Sequence, residues 1–186
     1  MILPIYTYGQ PVLREKAQPA DEREPGLKQL IDDMFETMYS ADGIGLAAPQ
    51  VGRSIRLLVI DADPLSKDYP ECRLFRRVMV NPEITEKSSE TVALEEGCLS
   101  FPGIHEKVAR AVSVRVRYRD ENGARKEETF EGFAARVVQH EYEHLDGAVF
   151  IDSISPIRKQ LNRSKLNAII KGAAKCTYRV KPVKKQ

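Results

Sequence analysis

This 186-residue chain has only three histidines, three cysteines and no long apolar run. Each scarcity excludes something. The cysteines are odd in number, and Cys72, Cys98 and Cys176 have no paired spacing, so the pattern predicts free thiols in a reducing cytoplasm rather than a disulfide framework. No stretch approaches the length of a membrane span. Met1-Ile2-Leu3-Pro4-Ile5 carries no basic region ahead of its short apolar run, so it reads as neither a signal peptide nor a transit peptide. Internal repeats, low-complexity tracts and an interdomain linker are missing too. That leaves one domain over residues 1–186, long enough to bury about 70% of its unfolded surface without cross-links. Acidic residues stop at Asp152, and ten cations follow in a chain whose net charge is only +2. Such a basic segment, at about 156–186, is either a solvated face or a surface for a polyanion.

Two of the three histidines stand in His140-Glu141-Tyr142-Glu143-His144. On an α-helix these imidazoles share one face and can converge on one metal ion. The run Phe133 to Leu145 predicts that helix, since it holds no Pro or Gly and is bracketed by Gly132 and Asp146-Gly147. Phe133, Val137, His140, His144 and Leu145 fall on one side. Glu141, rotated about 100° from His140, suits proton transfer better than ligation.

Two imidazoles leave a catalytic metal one protein ligand short. Cys98, in Glu95-Glu96-Gly97-Cys98-Leu99-Ser100, is the best third donor, because a thiolate binds a borderline divalent cation and leaves the fourth position open for water. The plain alternative is a small buried hydrophobe, which is also how Cys72 and Cys176 read unless they are surface thiols. His105 is a second possible ligand, though its loop position predicts a solvated side chain. In Gly43-Ile44-Gly45-Leu46-Ala47-Ala48-Pro49-Gln50, the small residues predict a narrow wall along a cleft, and Gln50 offers an amide donor. This stretch lacks the ending of a phosphate loop and the spacing of a dinucleotide fingerprint, so no organic cofactor is expected.

The remaining pattern predicts an α+β fold. Leu27, Leu30, Ile31, Met34 and Met38 mark an N-terminal helix. Ile55 to Ile60, Val78 to Val80 and Val92 to Leu94 read as strands, and Val112, Val114, Val116 and Tyr118 alternate with polar residues. Asn122-Gly123 turns that strand into Arg125 to Phe130. Ser155-Pro156 begins a last helix with Ile157, Leu161, Leu166, Ile169 and Ile170 on one side. Mostly antiparallel strands around a central metal helix follow, with Cys98 delivered to it by strand pairing.

Gly43 to Gln50, Glu96 to Ser100 and Gln139 to His144 together resemble the three motifs of the peptide deformylases, in order and with ordinary spacing. Glu143 departs from the Asp usual in that family, keeping the charge on a longer side chain; Arg110 is its nearest plausible cationic partner. The resemblance implies hydrolysis of the formyl group from formyl-methionyl nascent polypeptides, with Fe2+ favoured and Zn2+, Ni2+ or Co2+ suiting the same donors. It also implies that Gln50 and the Leu99 backbone N–H stabilise the developing oxyanion, and that Gly43, Gly45 and Leu99 form a wall too tight for an acetyl group. Ile44, Leu94, Phe133 and Val137 are the candidate lining for the methionine side chain. Docking of the basic segment on the ribosome would follow from the same resemblance. Two alternatives stand beside this reading: a metallo-endopeptidase using the same helix motif, and a catalytically silent ribosome-binding protein.

Overall fold

A computed structural model describes residues 1–183. Lys184 and Lys185, two of the ten late cations, lie outside the described residues. The chain opens with a short strand, β1 (Ile5–Tyr6), and the amphipathic helix α1 (Leu27–Ser40). Strands β2 (Gly45–Ala47), β3 (Leu57–Asp61) and β4 (Arg76–Lys87) follow. Two hairpins come next, β5 (Thr91–Gly97) with β6 (His105–Ala111) and β7 (Ser113–Arg119) with β8 (Arg125–Glu131). Helices α2 (Gly132–Leu145) and α3 (Pro156–Ile170) and the short strand β9 (Val180–Lys181) complete the order.

Five strands pair antiparallel in the order β2-β3-β4-β7-β8, and alternation decides what covers each face of the sheet. Leu57 and Val59 of β3 join Val78 and Val80 against Leu30, Met34 and Met38 of α1. Leu58 and Ile60 point the other way, into a cluster with Val114, Val116, Ala135 and Val138. Because β3 is buried on both faces, its apolar run is continuous rather than alternating. Helix α2 is therefore covered on nearly every side, with Ala134 through Glu141, His144 and Leu145 all buried. This is an α+β protein of mostly antiparallel strands.

The pair β5-β6 forms its own two-stranded sheet and ends at Gly97, so Cys98 emerges directly from a strand end. Sequence periodicity gives no warning of β6. Its inward positions are Glu106, Val108 and Arg110, so charge stands where alternation would show apolar residues, and His105 begins a strand rather than lying in a loop. The last helix also differs from its apolar stripe: Ile157 and Leu161 are 74% and 66% exposed. Arg158 and Asn162 instead anchor α3 to the buried Glu106 carboxylate, at 2.8 Å and 2.5 Å, and this rotates Asn162, Leu166 and Ile169 inward. None of the helices among the described residues is long and apolar enough to cross a membrane.

Candidate metal centre

Local chemistry fixes both ends of α2. Gly132 starts it at φ 56°, a left-handed conformation that favours glycine, and Glu71 accepts the exposed Phe133 N–H at 2.8 Å. Gly147 follows its last turn at φ 73°, where a Cβ would fall 2.6 Å from the Arg14 carbonyl oxygen. Between these fixed ends His140 and His144 lie one turn apart with ring centroids at 5.4 Å.

Donor atoms of Cys98, His140 and His144 all lie within 4.8 Å of one another, a set that could hold a metal ion. Cys98 Sγ and His144 Nε2 are 3.3 Å apart. Tetrahedral ligation at ordinary zinc–sulfur and zinc–nitrogen lengths would separate such atoms by roughly 3.5 Å. Thus the donor set fits a divalent cation, with Cys98 brought beside the two histidines from the end of β5. His105 is exposed, Cys72 buried and Cys176 half-buried, and none of the three is among the clustered donors.

Glu96, which sequence reasoning passed over, organises the surroundings. Its Oε2 lies 2.9 Å from His140 Nδ1, so the ring donates there and presents Nε2 to the other donors. Arg110 donates to the same carboxylate at 2.5 Å and 2.9 Å, and Arg136 at 2.6 Å. Burial alone would raise the Glu96 carboxyl, but His140 and Arg110 hold it at about 2. Arg136 also reaches the carbonyls of Val92 and Val108, tying α2 to both strands of the β5-β6 hairpin. Arg110 bridges onward to Glu143 at 2.8 Å and 3.2 Å, the contact expected from their motif positions. One signal for Glu96 was available: in a period-two strand only one of the adjacent Glu95 and Glu96 can face the helix.

Glu141 stands apart from this network. It is 5% exposed, Oε2 has no protein hydrogen-bond partner among the described residues, and burial pushes its carboxyl up to about 7. Gly45 is what makes room for it. A Cβ there would lie 2.5 Å from Glu141 Oε1, so the glycine serves close approach, and neither Gly43 nor Gly45 adopts a positive φ. At Gly43 a Cβ would meet Leu99 Cδ1 at 2.8 Å, which makes this wall narrow. Gln50, 1% exposed, accepts the Ala47 N–H at 2.8 Å and turns its Nε2 toward Ser100 Oγ at 3.2 Å and Cys98 Sγ at 3.5 Å.

Gly43, Ile44, Gly45, Gln50, Leu99 and Glu141 line one cleft of about 440 Å³ together with Cys98 and His140. Of the expected methionine-pocket residues only Ile44 lines this cleft; Leu94, Phe133 and Val137 do not. Val137 is buried in the main apolar cluster, against which Ile44 and Phe133 also pack, and Phe133 stacks on Tyr69 at 4.2 Å between centroids. Leu94 is half-buried in β5 opposite Val108.

The sequence matches the family described as polypeptide deformylase across residues 2–160. The chain belongs to that family. It is similar to a peptide deformylase of Christiangramia forsetii, 44% identical over 188 residues that cover 97% of this chain and 96% of the relative. Its fold is similar to the crystal structure of a peptide deformylase from Thermotoga maritima, with TM-score 0.76, 44% identity, and coverage of 84% of this chain and 99% of that one. A Legionella pneumophila peptide deformylase gives a TM-score of 0.80 at 41% identity, covering 90% and 94% of the two chains. This chain is accordingly a metal-dependent hydrolase of the deformylase family, whose members remove the formyl group from nascent polypeptides. Both the endopeptidase and the catalytically silent alternatives are disfavoured by that membership.

Proposed function

We propose that Cys98, His140 and His144 hold one divalent cation, Fe2+ by preference, and that Glu141 moves the proton as formyl-methionine is cleaved to formate and a free amine. The observation that carries this reading is the convergence of the three donors in a cleft beside the buried Glu141 carboxyl, whose Oε2 has no partner among the described residues. When bound, the cation supplies Lewis acidity and lowers the pKa of water toward about 7. Zn2+, Ni2+ or Co2+ would suit the same nitrogen and sulfur donors.

Glu141, with its carboxyl at about 7, exchanges protons readily near neutral pH. It takes one from the attacking water and returns it to the leaving nitrogen, so the carboxyl ends as it began. As the carbonyl becomes tetrahedral, Gln50 Nε2 and the Leu99 N–H serve as donors to its oxygen. The close approach of Gly43 to Leu99 and of Gly45 to Glu141 admits a carbon bearing only hydrogen and rejects an acetyl methyl. Entering past Ile44, the methionine side chain would meet the cluster that holds Phe133 and Val137, with Leu94 on the flanking strand.

The same reading takes residues 1–186 as one catalytic domain acting in the cytoplasm, with the basic C-terminal segment docking on the ribosome. Exposed Arg163 and Lys171 beside the exposed Leu161 support a face for a polyanion. Metal analysis paired with formate release from a formyl-Met peptide tests the central claim. Alanine at Cys98, His140 or His144 should lose metal stoichiometry and turnover together, and full occupancy in Cys98→Ala would remove the thiolate from the site.

A further inference from the structure

After α3 the chain turns back across the molecule and is fastened close to the cleft. β9 pairs parallel with β1, placing Val180 opposite Ile5 and Lys181 opposite Tyr6. Ile5 N–H donates to the Arg179 carbonyl at 2.9 Å, and Gln10 Nε2 to the Pro182 carbonyl at 2.7 Å. Tyr178 lies immediately before this fastened stretch, half-buried, with its ring on the cleft wall.

Its hydroxyl donates to the Leu99 carbonyl at 2.8 Å. Three successive carbonyls of the turn that carries Cys98 are thereby held. The Cys98 oxygen accepts from Phe101 N–H at 2.8 Å, the Ser100 oxygen from Tyr8 N–H at 2.9 Å, and the Leu99 oxygen from Tyr178. The Leu99 N–H shares its peptide plane with the Cys98 carbonyl, and the Leu99 carbonyl belongs to the next plane, so pinning both restricts rotation about the Leu99 Cα that joins them. Backbone secures the first plane and a tail side chain secures the second.

We propose that Tyr178 is a positioning residue of the reaction, its hydroxyl fixing Leu99 and its ring forming the wall met by substrate residues that follow methionine. The inference rests on the role proposed above for the Leu99 N–H. A formyl group at the clustered donors leaves the rest of the peptide to run along the same cleft, whose lining Tyr178 shares with Pro102 and His105. Being only half-buried, the ring leaves part of its face free to pack against a second or third residue.

The test uses metal-loaded full-length protein and two substrates, formyl-Met-Ala and formyl-Met-Ala-Ser. Tyr178→Phe keeps the ring, so kcat should fall about 3- to 10-fold on both peptides, the worth of one net hydrogen bond, with KM and metal content unchanged. Tyr178→Ala should in addition raise KM more for the longer peptide. Calorimetry with the products Met-Ala and Met-Ala-Ser should show the same bias without turnover. Wild-type kcat in Tyr178→Phe, or equal effects of Tyr178→Ala on short and long peptides, overturns the proposal. If Tyr178→Ala misfolds, Tyr178→Phe remains decisive. Formate release by the wild type, read in the same assay, judges the deformylation reading separately.

Discussion

Glu96 Oε2 lies 2.9 Å from His140 Nδ1, and the carboxylate that orients this imidazole is itself held between two guanidiniums. Structural and chemical roles therefore coincide in one buried side chain. Removing the acid leaves Arg110 and Arg136 buried with their shared partner gone and frees the His140 ring to rotate.

Glu96→Gln should weaken metal affinity ~10- to 100-fold by competition with a chelator, as losses of a carboxylate behind a ligating histidine usually do. The pH dependence of stability follows from the same residue. Its folded carboxyl sits at about 2 against an ordinary 4.5, so its contribution is fully present above the higher value and is lost as pH falls toward the lower one. A depression of that size corresponds to about 3 kcal/mol. Denaturant unfolding of metal-free protein between about pH 6 and 3 should show a steeper loss for the wild type than for Glu96→Gln. Parallel curves would mean that the carboxylate contributes nothing to acid sensitivity.

Glu141 and Gly45 should separate proton transfer from ligation. Glu141→Gln should keep one metal per chain yet lose about 10²- to 10⁴-fold in kcat, because an amide cannot accept the proton. Gly45→Ala pushes a methyl to 2.5 Å from the carboxylate oxygen, so it should also retain metal and lose turnover by displacing the base. Metal content and formate release measured on the same samples decide both cases. Near-normal kcat in Glu141→Gln would falsify its assignment as the base.

What the sequence reveals about this site depends on how each residue announces itself. His140 and His144 are legible because helical spacing alone puts them together, and Gly132 and Gly147 mark the ends of their helix. Cys98 is legible by ligand chemistry although 42 residues separate it from His140. The contact between Arg110 and Glu143 is legible only through motif position. Glu96 and β6 escape because buried charge interrupts apolar alternation: Glu96, Glu106 and Arg110 face inward and are satisfied by partners far along the chain. Tyr178 carries no local signal at all, since its partner Leu99 lies 79 residues away. The exposed Ile157 and Leu161 mislead for a related reason, because a polar anchor at Glu106 sets the rotation of α3.

Glu143 tests how much length matters at a carboxylate that the family usually supplies as Asp. Its two oxygens meet Arg110 at 2.8 Å and 3.2 Å, and the side chain is 27% exposed. Glu143→Asp should be tolerated within a few-fold, since a partly exposed acid can follow Arg110 with little strain. Glu143→Ala should cost ~10-fold or more in metal affinity or activity by leaving Arg110 to Glu96 alone. Indistinguishable behaviour of the two variants would reduce Glu143 to a solvated charge.

The basic C-terminal face provides a test independent of the metal. Arg158 is committed to Glu106, and Lys165 Nζ donates to the Gly103 carbonyl at 3.1 Å, so neutralising either would disturb the packing of α3. Arg163 and Lys171 are exposed, and they flank a groove lined by Leu161, Asn167 and Ala168. The informative variant is therefore Arg163→Gln with Lys171→Gln. Phosphate binding releases counterions, so association of the wild type with ribosomes should weaken steeply between about 50 and 200 mM salt. Co-sedimentation of the double variant should fall at low salt while hydrolysis of a short formyl-Met peptide stays at the wild-type rate. Equal co-sedimentation of wild type and variant, or none by either, would leave these cations as an ordinary solvated surface.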